Sequence, residues 1–445
     1  MLDLHLIVDR SRGVRAGVES ALRDAIRTLP PGTRLPSSRA LAMDLGVARN
    51  TVADAYGQLV QEGYLTGDRG AGTRTATTPP APAERPATTT EAAIVHDLRP
   101  GRPDVSNFPV AAWNAATRRV LNTRPREALQ YDDARGPAYA REVLAGYLHR
   151  ARGVRAEPDQ IVLCSGVRQA VALLAGAMAR RGAKSFAYEL PGQAAVPVQL
   201  SRAGLDLRPI QVDRYGAVVD QLGDAGGVVL TPAHQFPTGV PLAPRRRTEV
   251  LEWARTTGAV VLEDDYDGEF RYDRQPIGAL QGLAPDVVAY AGSASKTLAP
   301  GLRLGWLVLP PHLVGAVAEE KTWTDRHSDT LTQMTLAALI ESGAYDRHVR
   351  ASRLRYRRRR DELMRALGNH RAGGIAAGLQ VVLDLAGSDE DAVLRTLAER
   401  GVVTFAMSHF GAGLPPALVI GYGAPPQHAW GRALSALVDG LQAVL

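Results

Sequence analysis

Tyr290-Ala-Gly-Ser-Ala-Ser-Lys-Thr-Leu-Ala-Pro-Gly-Leu-Arg-Leu-Gly-Trp306 is the stretch on which the reading of this chain turns. It sets one lysine, Lys296, among the hydroxyls of Ser293, Ser295 and Thr297, and places Arg303 two turns further on. A lysine that condenses with an aldehyde needs a lowered pKa and a pocket of low dielectric. A phosphate on that aldehyde needs hydroxyls, backbone N–H groups and a guanidinium. The pattern suits a phosphorylated aldehyde, but Ser-x-Ser-Lys alone equally describes a solvated loop. The assignment therefore rests on agreement with distant segments.

Outward from Lys296, residues 97–445 alternate apolar strand-like runs with helical ones. The strand-like runs include Gln160-Ile-Val-Leu, Gly227-Val-Val-Leu-Thr231, Ala259-Val-Val-Leu-Glu263, Val287-Val-Ala-Tyr290 and Gly305-Trp-Leu-Val-Leu309, with helices over 167–181 and 246–256. Apolar strands separated by helices imply an α/β unit with a mainly parallel sheet covered on both faces. Ligands of such sheets sit at the carboxyl ends of the strands. Glu263-Asp-Asp-Tyr-Asp-Gly-Glu-Phe-Arg-Tyr272 follows one strand. A carboxylate there can hold a pyridine nitrogen protonated, and a phenol two residues on can bond a ring hydroxyl. A Mg²⁺ site or a plain acidic surface fits the same residues. Cys164-Ser-Gly-Val-Arg-Gln-Ala-Val opens a helix whose N-terminus suits a phosphate dianion, or is a simple connection.

Composition narrows the class. A chain of 445 residues with 45% apolar content holds two or three domains and a sizeable core. A single cysteine, Cys164, excludes a disulfide framework and a cysteine-rich zinc site. His234, His348 and His409 show no metal-ligand spacing, so no metal is assigned. No apolar run reaches the roughly 18 residues of a membrane span, and the start lacks a signal-peptide pattern. A cytoplasmic protein with no membrane association is expected. The net charge of +6 permits a polyanionic partner without requiring one.

The first 75 residues read differently. Val14, Val18, Leu22, Ala25, Ile26 and Leu29 recur at helical spacing, a short helix starts at Ser38, and Gly46 makes a tight turn. In the following helix, over 47–62, Val52, Tyr56, Leu59 and Val60 are expected to face inward, with Arg49, Asn50 and Thr51 at its exposed start. This is a helix-turn-helix. The N-terminal side chains of its second helix meet base edges in the major groove. Tyr64 to Arg74 reads as two short strands around a basic, glycine-rich turn, a wing, and Arg34, Arg39, Arg69 and Arg74 suit phosphates. The alternative is a three-helix protein–protein module. Leu35-Pro-Ser-Ser-Arg-Ala-Leu-Ala, Gly46-Val-Ala-Arg-Asn-Thr-Val, Ala55-Tyr and Glu62-Gly-Tyr-Leu resemble the winged helix-turn-helix of GntR-type transcription regulators over most of 8–75. The resemblance implies DNA contacts by Arg39, by Arg49, Asn50 and Thr51, and by Arg69 and Gly70. Residues 76–96, rich in proline, threonine and alanine, form a linker whose extended length is about 70 Å.

Residues 97–445 resemble the fold-type I aminotransferases, and the whole chain resembles the MocR/GabR group of bacterial regulators. The matching stretches are Tyr131-Asp-Asp-Ala-Arg-Gly, Glu189-Leu-Pro-Gly, Thr231-Pro-Ala-His-Gln-Phe-Pro-Thr-Gly, Glu263-Asp-Asp-Tyr-Asp and Ser293-Ala-Ser-Lys. The resemblance implies pyridoxal 5'-phosphate in aldimine linkage to Lys296, with Asp264 on the pyridine nitrogen and Tyr266 at the ring hydroxyl. Phosphate falls to Gly166, Val167, Arg168, Ser293, Ser295 and Arg303, and Tyr131 reaches in from a partner subunit. This chain departs from the pattern at Gln193, where an aromatic ring usually stacks on the cofactor, and at Val167, where a donor side chain is common. Leu418-Val-Ile-Gly-Tyr422 also lacks the arginine that aminotransferases use for the substrate carboxylate.

These features imply a homodimeric, head-to-tail transcription regulator. It binds an operator through residues 1–75 and senses pyridoxal phosphate or an amine through residues 97–445, with no efficient turnover. The alternatives are an aminotransferase carrying a DNA-binding appendage and a DNA-binding module whose cofactor site has decayed. The basic helix Arg347–Arg360 is read as a solvated face, with a second DNA contact as the alternative.

Overall fold

The computed structural model describes residues 4, 6–9, 11, 13–68, 72–76, 95–272, 277–368 and 372–444. The chain divides into two compact units, Met1–Glu91 and Ala92–Leu445.

In the first unit, helices α1 (Val14–Thr28), α2 (Ser38–Leu45) and α3 (Arg49–Gln61) enclose a small core. Val18, Leu22, Leu41, Val52 and Leu59 are all essentially inaccessible in it. Ser37 caps α2 by accepting from the Ala40 N–H at 3.2 Å, and Gly46 ends it at φ 61, a left-handed conformation that favours glycine. That turn aims α3 across α2. The Tyr56 hydroxyl donates to the Pro36 carbonyl at 2.9 Å and ties the two helices together. Val60 departs from expectation: it is 39% exposed, because the inward stripe of α3 runs through Val52, Ala55, Tyr56 and Leu59. Strands β1 (Leu65–Asp68) and β2 (Gly72–Thr75) pair antiparallel as the wing. Arg69 and Gly70, at its tip, lie outside the described residues, as does most of the expected linker.

The second unit is built on an eight-stranded sheet: β3 (Ile161–Cys164), β4 (Ser185–Leu190), β5 (Asp206–Asp213), β6 (Gly216–Ala217), β7 (Gly227–Leu230), β8 (Val260–Asp264), β9 (Val288–Ser293) and β10 (Gly305–Val308). Their order is β3-β10-β9-β8-β7-β4-β5-β6. The strands from β9 to β5 in that order run parallel; β10 runs antiparallel to both its neighbours and β6 to β5. Both faces are covered. Along β3, Ile161 and Leu163 enter one core while Val162 and Cys164 enter another, the period-two alternation of a sheet buried on both sides.

A second, antiparallel sheet joins Ala372–Gly373, Gln380–Asp384, Ala417–Gly421 and Phe405–Ala406. Residues 402–406 are divided between two sheets. Val402–Val403 pairs in parallel with His96–Asp97, whereas Phe405–Ala406 joins the second sheet. Thr404 sits at the switch, with its Oγ1 at 3.0 Å from the Leu98 carbonyl and 2.8 Å from that of Val419. No helix among the described residues is long and apolar enough to cross a membrane.

Candidate functional site

Strand ends converge at one edge of the large sheet. β3 leads to Gly166, β8 ends at Asp264, β9 ends at Ser293, and β10 begins at Gly305, opposite both Ser293 and Cys164. A Cβ on Gly305 would stand 2.6 Å from the Cα of Gly166, so only glycine lets these strands close. The cavity there, about 360 Å³, is lined by eight of the ten residues expected at a cofactor: Gly166, Val167, Arg168, Tyr266, Ser293, Ser295, Lys296 and Arg303. Asp264 lies behind Gln193 in an adjoining recess. Tyr131 is not among the cavity residues; it is 74% exposed, with the Arg326 guanidinium 4.1 Å from its ring centroid.

One end of the cavity is built for a dianion. Gly166, at φ 115, precedes the helix Val167–Arg180. Its carbonyl accepts from the N–H groups of Gln169 and Ala170, which leaves those of Val167 and Arg168 for a ligand. The Arg303 guanidinium lies over Gly166, 3.8 Å from where a Cβ would stand. The loop is braced from behind. Gln169 Oε1 accepts from the Ser165 N–H at 2.7 Å, its Nε2 donates to Asp325 at 2.8 Å, and Asp325 accepts from the buried Lys321 at 2.7 Å. Val167 thus costs the loop a donor side chain but not its anion-binding backbone.

At the other end stand an amine and an acid. Lys296 donates to the Gly101 carbonyl, and burial holds its pKa below the usual lysine value against the pull of Asp267 and Asp264. Asp264 is 2% exposed and pushed up to about 8, by burial first and then by the like charge of Asp265. Its Oδ2 accepts from Gln193 Nε2 at 2.6 Å, while its Oδ1 is buried with no partner. An orphaned carboxylate oxygen in a recess adjoining the cavity of a low-pKa amine and an anion cradle fits a phosphorylated pyridine aldehyde. The residues present therefore suit pyridoxal phosphate, whose chemistry is to act as an electron sink for a bound amine. Tyr266 OH accepts from Gln380 Nε2 at 2.9 Å and lies 2.9 Å from His234 Nδ1, which in turn is 2.9 Å from Asp267.

The other carboxylates of the acidic run each have separate partners. Glu263 accepts from the Leu280 and Gln281 N–H groups, Asp265 from Arg152 and Tyr290, and Glu269 from Tyr147. Among the described residues no three His, Cys, Asp or Glu side chains group as a metal site.

Several interactions escaped sequence reasoning. Gln193 is more than a missing aromatic ring, since it occupies an oxygen of Asp264. Scattered in sequence, the three histidines gather around the site: His234 beside Tyr266, His409 in the cavity wall, and His348 bonded to the Thr297 carbonyl at 2.8 Å. Only the placement of His234 in the run before Phe236-Pro-Thr-Gly gave a hint. The cavity's only arginines among the described residues, Arg168 and Arg303, are at the anion cradle, and Ala417–Gly421 is a buried strand without a base.

Asp264 makes a pH test available. Its folded pKa of about 8 exceeds the ordinary 3.8, so the cofactor-free folded state binds more protons than the unfolded chain between those values. Its contribution is fully present below pH 3.8 and is lost as pH rises through 8. The slope is at most about 1.4 kcal/mol per pH unit. Urea titrations of cofactor-free Asp264→Asn at pH 6 and 9 are expected to show a smaller stability loss than wild type over the same interval. Equal losses would mean that Asp264 does not carry the proton.

In the first unit, Arg39 opens α2, and Arg49, Asn50 and Thr51 open α3. Arg39, Arg49 and Asn50 are exposed and Thr51 half-buried, as base- or phosphate-contacting groups at a helix start must be. Arg74 is exposed and donates to the Gly32 carbonyl at 2.9 Å.

Comparison with known proteins agrees with both units. Residues 15–74 match the model of the gntR family of bacterial regulatory proteins, and residues 94–436 that of aminotransferase class I and II. The chain is 33% identical to the HTH-type pyridoxine biosynthesis transcriptional regulator PdxR of Corynebacterium glutamicum, over 93% of this chain and 92% of that protein. It is 31% identical to the probable rhizopine catabolism regulatory protein MocR of Rhizobium meliloti, over 85% of this chain and 82% of that one. Among solved structures, the α-aminoadipate aminotransferase LysN of Thermus thermophilus, complexed with N-(5'-phosphopyridoxyl)-L-leucine, shares the fold at a TM-score of 0.70 and 24% identity. That match covers 79% of this chain and 93% of LysN.

Proposed function

The chain belongs to the MocR-type HTH transcriptional regulators, which join a GntR-type DNA-binding unit to an aminotransferase class I and II domain, and from that premise we propose how its two parts divide the work. Residues 1–75 grip an operator through Arg39, Arg49, Asn50, Thr51 and the wing tip Arg69-Gly70. Residues 97–445 hold pyridoxal phosphate, and 76–96 link the two. Lys296 supplies the amine that bonds the cofactor, Asp264 faces the ring nitrogen, and Tyr266 faces the ring hydroxyl. The phosphate takes the N–H groups at Gly166, Val167 and Arg168 with Ser293, Ser295 and Arg303. Tyr131, exposed in its own subunit, completes the partner's site in a head-to-tail homodimer in the cytoplasm.

The observation that carries this reading is the orphaned Asp264 Oδ1 in a recess adjoining the cavity of a low-pKa lysine and an anion cradle. Pyridoxal phosphate itself is favoured as effector over an amine substrate, for two reasons. A relative at 33% identity is named for regulating pyridoxine biosynthesis. The cavity also lacks an arginine away from the phosphate end, so a substrate carboxylate has no bidentate partner. A half-reaction with any α-amino acid at roughly 1 s⁻¹ or faster would restore the aminotransferase reading.

The test is linkage. An operator selected from a randomised duplex pool is titrated with the full chain at increasing pyridoxal phosphate. Its affinity is expected to change by about 5–150-fold, a coupling of about 1–3 kcal/mol. Identical operator affinity for bare and loaded protein would refute sensing. Arg49→Ala is expected to weaken operator binding by about 1–3 kcal/mol and relax specificity at one position.

A further inference from the structure

The helix Ala344–Leu367 carries nine arginines and three acids, Asp346, Asp361 and Glu362. That surplus of six equals the net charge of the entire chain, so the other residues balance at 43 basic and 43 acidic. The helix-turn-helix unit, residues 1–75, holds only ten basic against eight acidic residues. A protein whose family grips DNA thus concentrates its positive charge on a helix of the other unit.

The helix sorts these arginines by face. Arg359 is buried at 1% exposure and paired with Asp104 at 3.1 Å. Arg353 is half-buried and donates to the Glu269 carbonyl at 2.7 Å. Arg347, Arg350, Arg357, Arg358 and Arg365 are exposed. Their spacing of three, seven, one and seven residues lays them along one side, over about 27 Å at about 1.5 Å per residue. Arg357 stands 4.0 Å from Asp361. Arg350, Arg358 and Arg365 make no hydrogen bond or ion pair with any described residue, and Arg347 has only a long one, 3.5 Å, to the Ser342 carbonyl. The three acids of the helix each stand four residues from an arginine of the stripe, but Asp346 accepts from Arg150 and Glu362 from Trp430, so apart from the 4.0 Å approach of Asp361 to Arg357 their bonds go elsewhere.

We infer that this stripe is a second, sequence-independent contact on the duplex phosphate backbone, resting on the DNA-binding reading of the first unit. Guanidinium groups spread over about 27 Å match a backbone that presents one charge per about 1.7 Å of duplex axis. A planar fork suits phosphate oxygens, and Arg350, Arg358 and Arg365, which pair with no described residue, have forks free to take them. Specificity then stays with α3, while the helix adds affinity and salt dependence.

The experiment uses the full chain, loaded with pyridoxal phosphate, and a labelled 40-base-pair duplex of random sequence, titrated by anisotropy from 50 to 300 mM KCl. The Ala variant replaces Arg347, Arg350, Arg358 and Arg365 together; the Lys variant replaces the same four. In the Ala variant, the slope of log K against log salt is expected to fall by about 0.9 for each phosphate no longer neutralised, about 3 to 4 in all. Affinity at 100 mM KCl falls at least about tenfold, equally for any sequence. The Lys variant keeps most of the wild-type slope. Circular dichroism and the bound-cofactor absorbance are expected to match wild type in both, since all four side chains are exposed. An Ala variant with wild-type slope and affinity overturns the inference and leaves the operator reading intact. A wild-type chain that binds neither random duplex nor selected operator overturns both.

Discussion

Lys296→Ala, incubated with pyridoxal phosphate and reduced with borohydride, is expected to gain no cofactor mass, whereas the wild-type chain gains one cofactor per subunit. The chain makes this test unusually clean, because only three of its 52 basic residues are lysines: Lys184, Lys296 and Lys321. Lys321 is fully buried and donates to both Asp325 oxygens and to Ser328 Oγ, so its amine is already engaged. Lys184 lies just before β4, at the opposite end of the strands from the phosphate cradle. Lys296 has a pKa lowered by burial and stands in the cavity that also holds Arg303 and the free N–H groups at the start of the helix Val167–Arg180. The variant keeps that cradle and Asp264. It is expected to bind the cofactor reversibly, so that dialysis removes it before reduction and not after reduction in wild type. Peptide mapping that finds the adduct at Lys184 or at the amino terminus of the variant, at wild-type stoichiometry, would move the site.

How much of this was legible without coordinates depends on whether an interaction is local. Asp264, Ser293 and Gly166 were readable because each follows an apolar run, and a parallel sheet gathers strand ends at one edge. The start of α3 was readable because Gly46 fixes where one helix stops and the next begins. Val60 was misplaced because a 3.6-residue period leaves two adjacent positions competing for the edge of the buried stripe, and Leu59 took it. Gln193 and Asp264 are 71 residues apart, and only the packing of their two loops shows that an amide has replaced a ring with a bond to the acid. Arg347–Arg360 was read as a single basic face. The helix divides it between Arg359, buried and paired with Asp104, and exposed arginines such as Arg350 and Arg358 that pair with no described residue, a division that depends on which neighbours pack against it.

The same long-range logic governs the largest expected loss of stability, at Arg152. Its guanidinium holds Asp265 through Nε at 2.6 Å and Nη2 at 3.1 Å, with both side chains no more than 3% exposed. Tyr290 adds a hydroxyl to the same carboxylate at 2.8 Å, and Gly268 leaves room for the pair, since a Cβ there would meet Arg152 at 2.6 Å. Around Asp265 stand other buried acids. Glu263 and Glu269 are each pushed up to about 7, by burial first and then by Asp265, and Asp264 is raised by the same neighbour. One arginine therefore offsets a charge that four carboxyl groups cannot share. Arg152→Met keeps the aliphatic bulk and removes the cation, and is expected to destabilise the large unit by about 3–5 kcal/mol in urea unfolding. The loss should grow with pH, because Asp265, stripped of its partner, shifts its burden onto neighbours that ionise near neutrality. Replacing Arg152 and Asp265 together by Met and Leu is expected to recover much of the loss, because an unpaired buried charge costs more than a missing pair. A Met single variant within about 1 kcal/mol of wild type would mean that water or a shifted side chain reaches Asp265. The strand that ends at Asp264 would then owe its position to packing rather than to this ion pair.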